Sequence, residues 1–361
     1  MVRKWWPRST RAEPVAPATT DRPGTSRPDA PRSPDAPRSP DARLPAQAGA
    51  VPAARAPQPE AAPTPEQGLG YAELPTAAPR GGQLTGLPAP RLTDVPTSLP
   101  GLRADGGLLG DCWIAAASTT GTSHLVHGTS GQDVYRYTTT KDGSGLILIV
   151  CDGLGSRPAT AQIGASLLAS YLSEAASHIT GRQMALAPQD VLRDVLATGS
   201  AAVQRHRVAV LGALTDSDLA STVALCWLPL PGGSGPGHAV RVGDCNVFTL
   251  SERTYATAFP ADEGPANLVT GYLPYDDVPR VAQYAQVGPA GVDAVIVTTD
   301  GLAIDLFDSP STREWLASRW SVPCGAARML DSLRYRRRGS HDDRTALVAW
   351  PSAPAYPTDE P

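Results

Sequence analysis

Leu146-Ile147-Leu148-Ile149-Val150-Cys151-Asp152-Gly153 decides how this chain folds. Its aliphatic run is uninterrupted and of strand length, which predicts a central β-strand covered on both faces. The run stops at a carboxylate, a group too costly to bury unless it is paired or holds a cation. Gly153 behind it lets the backbone turn and leaves its carbonyl accessible. The same arrangement returns downstream, where the β-run 292–299 ends at Asp300-Gly301.

Residues 135–139 predict a neighbouring strand joined through the turn Lys141-Asp142-Gly143, and 112–117 an earlier one. Residues 159–179 predict a helix with Leu167, Leu168, Tyr171 and Leu172 as its apolar stripe. Residues 188–206 predict a second helix. A strand-rich stretch follows: 221–228, then 239–242 and 247–250, the last two flanking Gly243-Asp244-Cys245-Asn246 as a hairpin connection. Residues 311–319 and 325–336 predict two late helices, and 346–350 a closing strand. Two groups of strands with a helical pair between them fit packed β-sheets flanked by helices better than a doubly wound βαβ sheet.

The 361 residues suffice for a sizeable core but are unevenly composed. Residues 22–43 hold the near-repeat RPDAPRSPDAPRSPDAR. Proline at this density removes amide donors and blocks helix. Residues 1–104 therefore predict a disordered Pro/Ala/Arg-rich arm and linker, with Trp5-Trp6 as its apolar knob. The arm reads as a tether, with partner docking as the alternative. Residues 105–352 predict the folded domain and 353–361 a short tail.

A net charge of -4 gives no footprint for nucleic acid. No apolar run reaches membrane-spanning length, and no hydrophobic stretch of a signal peptide follows the first residues. The expectation is a cytoplasmic monomer. The cysteines, Cys112, Cys151, Cys226, Cys245 and Cys324, are odd in number and form no CxxC pair. They predict buried thiols rather than a disulfide framework or a zinc site. P-loop, dinucleotide-loop and G-x-S-x-G motifs are absent from the sequence.

Four acidic motifs lie beside predicted strands: Gln132-Asp133, Asp152-Gly153, Asp300-Gly301 and Asp342-Asp343. Each alone has an ordinary reading, because Asp-Gly is a common turn dipeptide and Asp is common at strand ends. Gathered by the fold, they would offer oxygen donors to hard divalent cations. Two ions about 3.5–4 Å apart share a water, lower its pKa and neutralise phosphate oxygens. That chemistry hydrolyses phosphate esters without a protein nucleophile.

At these residues the chain resembles the metal-dependent PP2C-type serine/threonine protein phosphatase family, in its bacterial branch. The opening pattern is Gly121-Thr122-Ser123-His124, Gly128 and Gln132-Asp133. Then come Val150-Cys151-Asp152-Gly153-Leu154-Gly155-Ser156, Ser221-Thr222-Val223 and Val242-Gly243-Asp244-Cys245. Gly264-Pro265-Ala266-Asn267, Thr299-Asp300-Gly301-Leu302 and His341-Asp342-Asp343-Arg344-Thr345 complete the ordered set over about 108–350.

The resemblance implies an α+β fold with a central β-sandwich of two antiparallel sheets flanked by helices. It implies hydrolysis of phosphoserine or phosphothreonine in proteins by a water activated between two Mn²⁺ or Mg²⁺ ions. Asp133, Asp152, Asp300, Asp342 and the Gly153 carbonyl would hold the metals. Asp218, or in its place Asp216, would help hold a third ion. Asp343 would orient waters or cap its turn, and Asp244 would stabilise its hairpin.

Two departures matter. Many members carry D-G-H-G, whose histidine serves as an acid, but Leu154 stands there and cannot transfer a proton. Gly128 stands where the family's usual opening has a phosphate-clamping arginine. His124 is the first substitute, His127 a second, and Arg157 can reach the phosphate from the loop after Asp152. His341 adjoins the acids or packs its turn. The first expectation is the metal-dependent protein phosphatase. The alternative is a low-activity or pseudo-phosphatase acting as a phosphoprotein-binding regulatory module. Hydrolysis of a small phosphate ester and a metal-stabilised structural domain are further readings.

Overall fold

A computed structural model describes residues 72–73, 101–109, 112–154, 159–230, 235–261, 269, 271–288 and 291–351. The repeat-bearing arm, Trp5-Trp6, Arg157, the 264–267 motif and the tail after 351 lie outside the described residues.

The strands are β1 (Ala72–Glu73), β2 (Leu102–Leu109), β3 (Cys112–Thr119), β4 (Asp133–Thr139), β5 (Gly145–Gly153), β6 (Ser221–Pro229), β7 (Gly237–Val242), β8 (Asn246–Ser251), β9 (Thr254–Thr257), β10 (Ala282–Val287), β11 (Ala294–Thr298), β12 (Tyr335–Arg336) and β13 (Arg344–Trp350). The helices are α1 (Thr122–His127), α2 (Ala161–Ser177), α3 (Gly181–Leu186), α4 (Pro188–Val210), α5 (Val278–Val281), α6 (Asp300–Asp308), α7 (Pro310–Trp320) and α8 (Ala326–Leu333).

One antiparallel sheet runs β2-β3-β13-β11-β8-β9, and a second runs β10-β7-β6-β5-β4. The short β1 pairs with β12 in parallel. The architecture is the expected α+β sandwich of two antiparallel sheets flanked by helices.

Strand alternation explains the layers. Along β5, Leu146, Leu148 and Val150 enter the core between the sheets, while Ile147, Ile149 and Cys151 face the core under α2 and α4. This is why β5 is apolar at every position. β11 and β13 do the same in the other sheet. Val295, Val297, Leu347 and Ala349 fill the sandwich. Ala294, Ile296, Ala346, Val348 and Trp350 meet α6, α7 and α8. All five cysteines are buried thiols outside any disulfide.

Candidate functional site

Strand register gathers the acids. On β4 and β5, Asp133 stands opposite Asp152, and Asp152 stands opposite Thr222 of β6. Asp300 opens α6 directly after β11. Asp342-Asp343 immediately precede β13, whose Thr345 amide reaches Thr299 Oγ1 at 3.3 Å. Gly301 permits this closure, since a Cβ there would lie 1.9 Å from the Asp343 carbonyl oxygen. Gly121 does likewise, because its Cβ would sit 2.3 Å from the His341 carbonyl oxygen.

Asp133 and Asp343 turn into the protein, while Asp152, Asp300 and Asp342 stay partly exposed. Asp343 accepts from the Gly121 amide at 2.6 Å and the Gln132 amide at 2.5 Å. Asp133 Oδ2 accepts from Thr299 Oγ1 at 2.7 Å, and Asp342 Oδ1 from the Asp343 amide at 3.0 Å. His124 Nε2 lies 3.8 Å from Asp342 and 3.9 Å from Asp343, while its Nδ1 is 3.1 Å from Thr129 Oγ1. Ser123 fastens the other side, its amide and hydroxyl both donating to the His341 carbonyl. His341 Nδ1 is 2.9 Å from Thr122 Oγ1.

Burial and mutual repulsion govern the charges. Burial, then Asp343, push the Asp133 carboxyl up to about 8 against the bonds from Thr299 and Thr345. Burial raises Asp152 well above the carboxylate range, and Asp133, Asp300, Asp342 and Asp244 add to it. Burial also raises Asp343. Burial opposes charge on His124, but Asp342, Asp343 and Asp133 outweigh it and raise its pKa.

The structure does not bear out the expected metal centre. Among the described residues, no group of three or more His, Cys, Asp or Glu side chains is arranged to hold a metal ion. The acids converge, but Asp133 Oδ2, Asp342 Oδ1 and both oxygens of Asp343 accept from hydroxyl and amide donors of the protein itself. Asp218 is remote in purpose: its Oδ2 accepts from the Thr215 amide and hydroxyl and closes a turn of 3-10 helix. Gly153 serves packing, with a Cβ there falling 2.4 Å from the Ala161 carbonyl oxygen. The two-ion Mn²⁺ or Mg²⁺ centre, its third ion and hydrolysis through a metal-activated water are therefore not supported by this donor set.

The structure also adds residues. Arg103 of β2, placed by sequence in the linker, donates to the Asp133 carbonyl oxygen. Tyr135 donates to Asp105 of the same strand at 2.7 Å. Gln132 Nε2 is buried without a hydrogen-bond partner among the described residues. Only the Gln132-Asp133 pattern pointed toward any of these.

A family model for protein phosphatase 2C matches residues 120–334, which spans more than half of the chain. The chain belongs to the protein phosphatase 2C family. Among solved structures, this PP2C-family chain is similar to the serine/threonine phosphatase Stp1 from Staphylococcus aureus. The identity is 14%, covering 72% of this chain and 99% of that one, with a TM-score of 0.47. It is similar to PppA of Pseudomonas aeruginosa, described as a key regulatory component of T6SS, at 18% identity, covering 69% and 99%, with a TM-score of 0.45. A bacterial serine phosphatase aligns at 13% identity, covering 67% and 99%, with a TM-score of 0.47. No curated protein matches.

Proposed function

We propose that this PP2C-family chain is a low-activity or pseudo-phosphatase acting as a regulatory module that binds phosphoproteins. The observation that carries the reading is the inward use of the acids. Asp343 ties Gly121 and Gln132 together, and Thr299 occupies Asp133, so these carboxylates serve as structural acceptors. Leu154 reinforces it, because a leucine cannot donate a proton to a leaving alcohol. His124 is turned to Asp342 and Asp343 and is proposed to balance their charge.

In this reading the Pro-rich arm is a tether. Among the described residues no helix is long and apolar enough to cross a membrane. We place the module in the cytoplasm, which keeps thiols reduced and suits five cysteines that form no disulfide.

The test takes the full chain and measures two things. Binding of phosphoserine and phosphothreonine peptides is compared with that of their unphosphorylated forms. Phosphate release is followed in chelator, Mg²⁺ and Mn²⁺. Selective binding, with turnover that neither ion raises, is the expected result. Multiple turnovers that depend on either ion would overturn the reading.

A further inference from the structure

A module that binds phosphate groups needs cations, and the acidic cluster repels a phosphate dianion. Arginines with unused donors lie elsewhere, around an open cavity of about 340 Å³ lined by Arg253, Thr254, Tyr255, Pro310, Arg313 and Glu314. It is formed by the β8–β9 turn and the first turns of α7. β11 separates it from the acids. Asp293, just before that strand, holds the turn through the Glu252 amide, and Asp300 follows its far end. Five strand residues span about 17 Å.

We propose that this cavity is a phosphate-monoester site for a phosphorylated peptide, with Arg253 and Arg313 as its cationic walls. The proposal rests on the phosphoprotein-binding reading above and supplies the place where the phosphate sits.

The pocket's groups are preset and have spare capacity. Arg313 Nη1 donates to the Leu306 and Phe307 carbonyls at 2.6 and 2.9 Å, which fixes its guanidinium against the end of α6. Its Nη2 and Nε have no partner among the described residues, and neither has the Arg253 side chain. Glu252 and Arg253 adopt φ values of 48° and 63°, a left-handed pair normally given to Asn-Gly. Two long side chains there cost backbone strain that such turns keep at functional places. The Tyr255 hydroxyl is buried without a hydrogen-bond partner, and burial holds the phenol protonated as a donor.

The two guanidiniums match the several oxygens of a phosphate monoester, with the Tyr255 ring packed beside them. Glu314 adds the preference for a peptide. Its carboxylate rejects a second anionic group but accepts a backbone N–H from the residue that carries the phosphate.

The test uses the full chain and a phosphoserine peptide library with degenerate flanks, beside its unphosphorylated counterpart and inorganic phosphate. Variants are Arg253→Glu, Tyr255→Phe and, as a charge-matched control, Arg182→Glu on α3. Arg253→Glu is expected to weaken phosphopeptide binding about tenfold or more, the scale of losing a charge-assisted contact. Tyr255→Phe should change it little, Arg182→Glu should leave it unchanged, and inorganic phosphate should compete. Wild-type binding that survives Arg253→Glu overturns the pocket and leaves the phosphoprotein reading intact. Wild-type chain that retains no phosphopeptide overturns both. Equal loss in Arg182→Glu also overturns the pocket, since overall charge would then explain the binding.

Discussion

At the scale of single residues, the buried acids make stability depend on pH. Asp133 has its folded-state pKa raised from 3.8 to about 8, chiefly by burial, and Asp152 is raised for the same first reason. A carboxyl whose folded pKa lies above its unfolded value stabilises fully below the unfolded pKa. That contribution disappears as pH climbs through the folded pKa. His124, also raised, acts in the same direction. The urea midpoint is therefore expected to fall between about pH 4 and about pH 8, with Asp133→Asn flattening the fall. A wild-type midpoint that stays level or rises across this range would show that the carboxyls ionise without cost. The sequence made the four acidic motifs legible through their places beside apolar runs. It did not show where each oxygen points, because Thr299, Gly121 and Gln132 meet the acids only through tertiary contact.

Among the elements, α6 is the instructive one. Asp300-Gly301 carries the marks of a turn, yet it opens a helix whose Asp305 is fully buried. Asp305 Oδ1 accepts from Arg337 at 2.7 Å, and Oδ2 from Tyr335 at 2.6 Å, Ser340 at 2.7 Å and Arg344 at 3.2 Å. This network fixes the chain on both sides of His341-Asp342-Asp343. Asp305→Ala takes the shared carboxylate from two buried guanidiniums, with Asp308 remaining 3.7 Å from Arg337, and should cost about 3–5 kcal/mol, read by chemical denaturation. A loss under about 1 kcal/mol would mean that the arginines find other acceptors. β2 escaped sequence reading for a related reason. Asp105-Gly106-Gly107 looks like a loop, but a Cβ on Gly106 would meet the Ala326 amide nitrogen of α8 at 2.9 Å. That glycine answers to the helix packed over the strand. β5, β6 and β13 were legible because each is buried along almost its whole length.

For the whole molecule, the sandwich was readable from the sequence and the chemistry of its edge was not. A specific ion binding the native state at a hundred times its Kd adds about 2.7 kcal/mol, or roughly 5–10 °C in Tm for a domain of this size. With no metal-holding group among the described residues, millimolar Mn²⁺ or a chelator is expected to leave Tm unchanged. A rise of that order on adding Mn²⁺ would restore the two-ion centre. The sheet order has a further consequence, for synthesis. β13 is flanked by β3 and β11, so one of the earliest strands bonds to the last, and Ser118 meets Thr345 across 227 residues of chain. At ordinary translation speeds that gap takes roughly 10–45 s to emerge from the ribosome. Until then β3 waits with an open edge, the kind of unpaired edge through which a nascent chain associates with others, and only the last strand to emerge closes it.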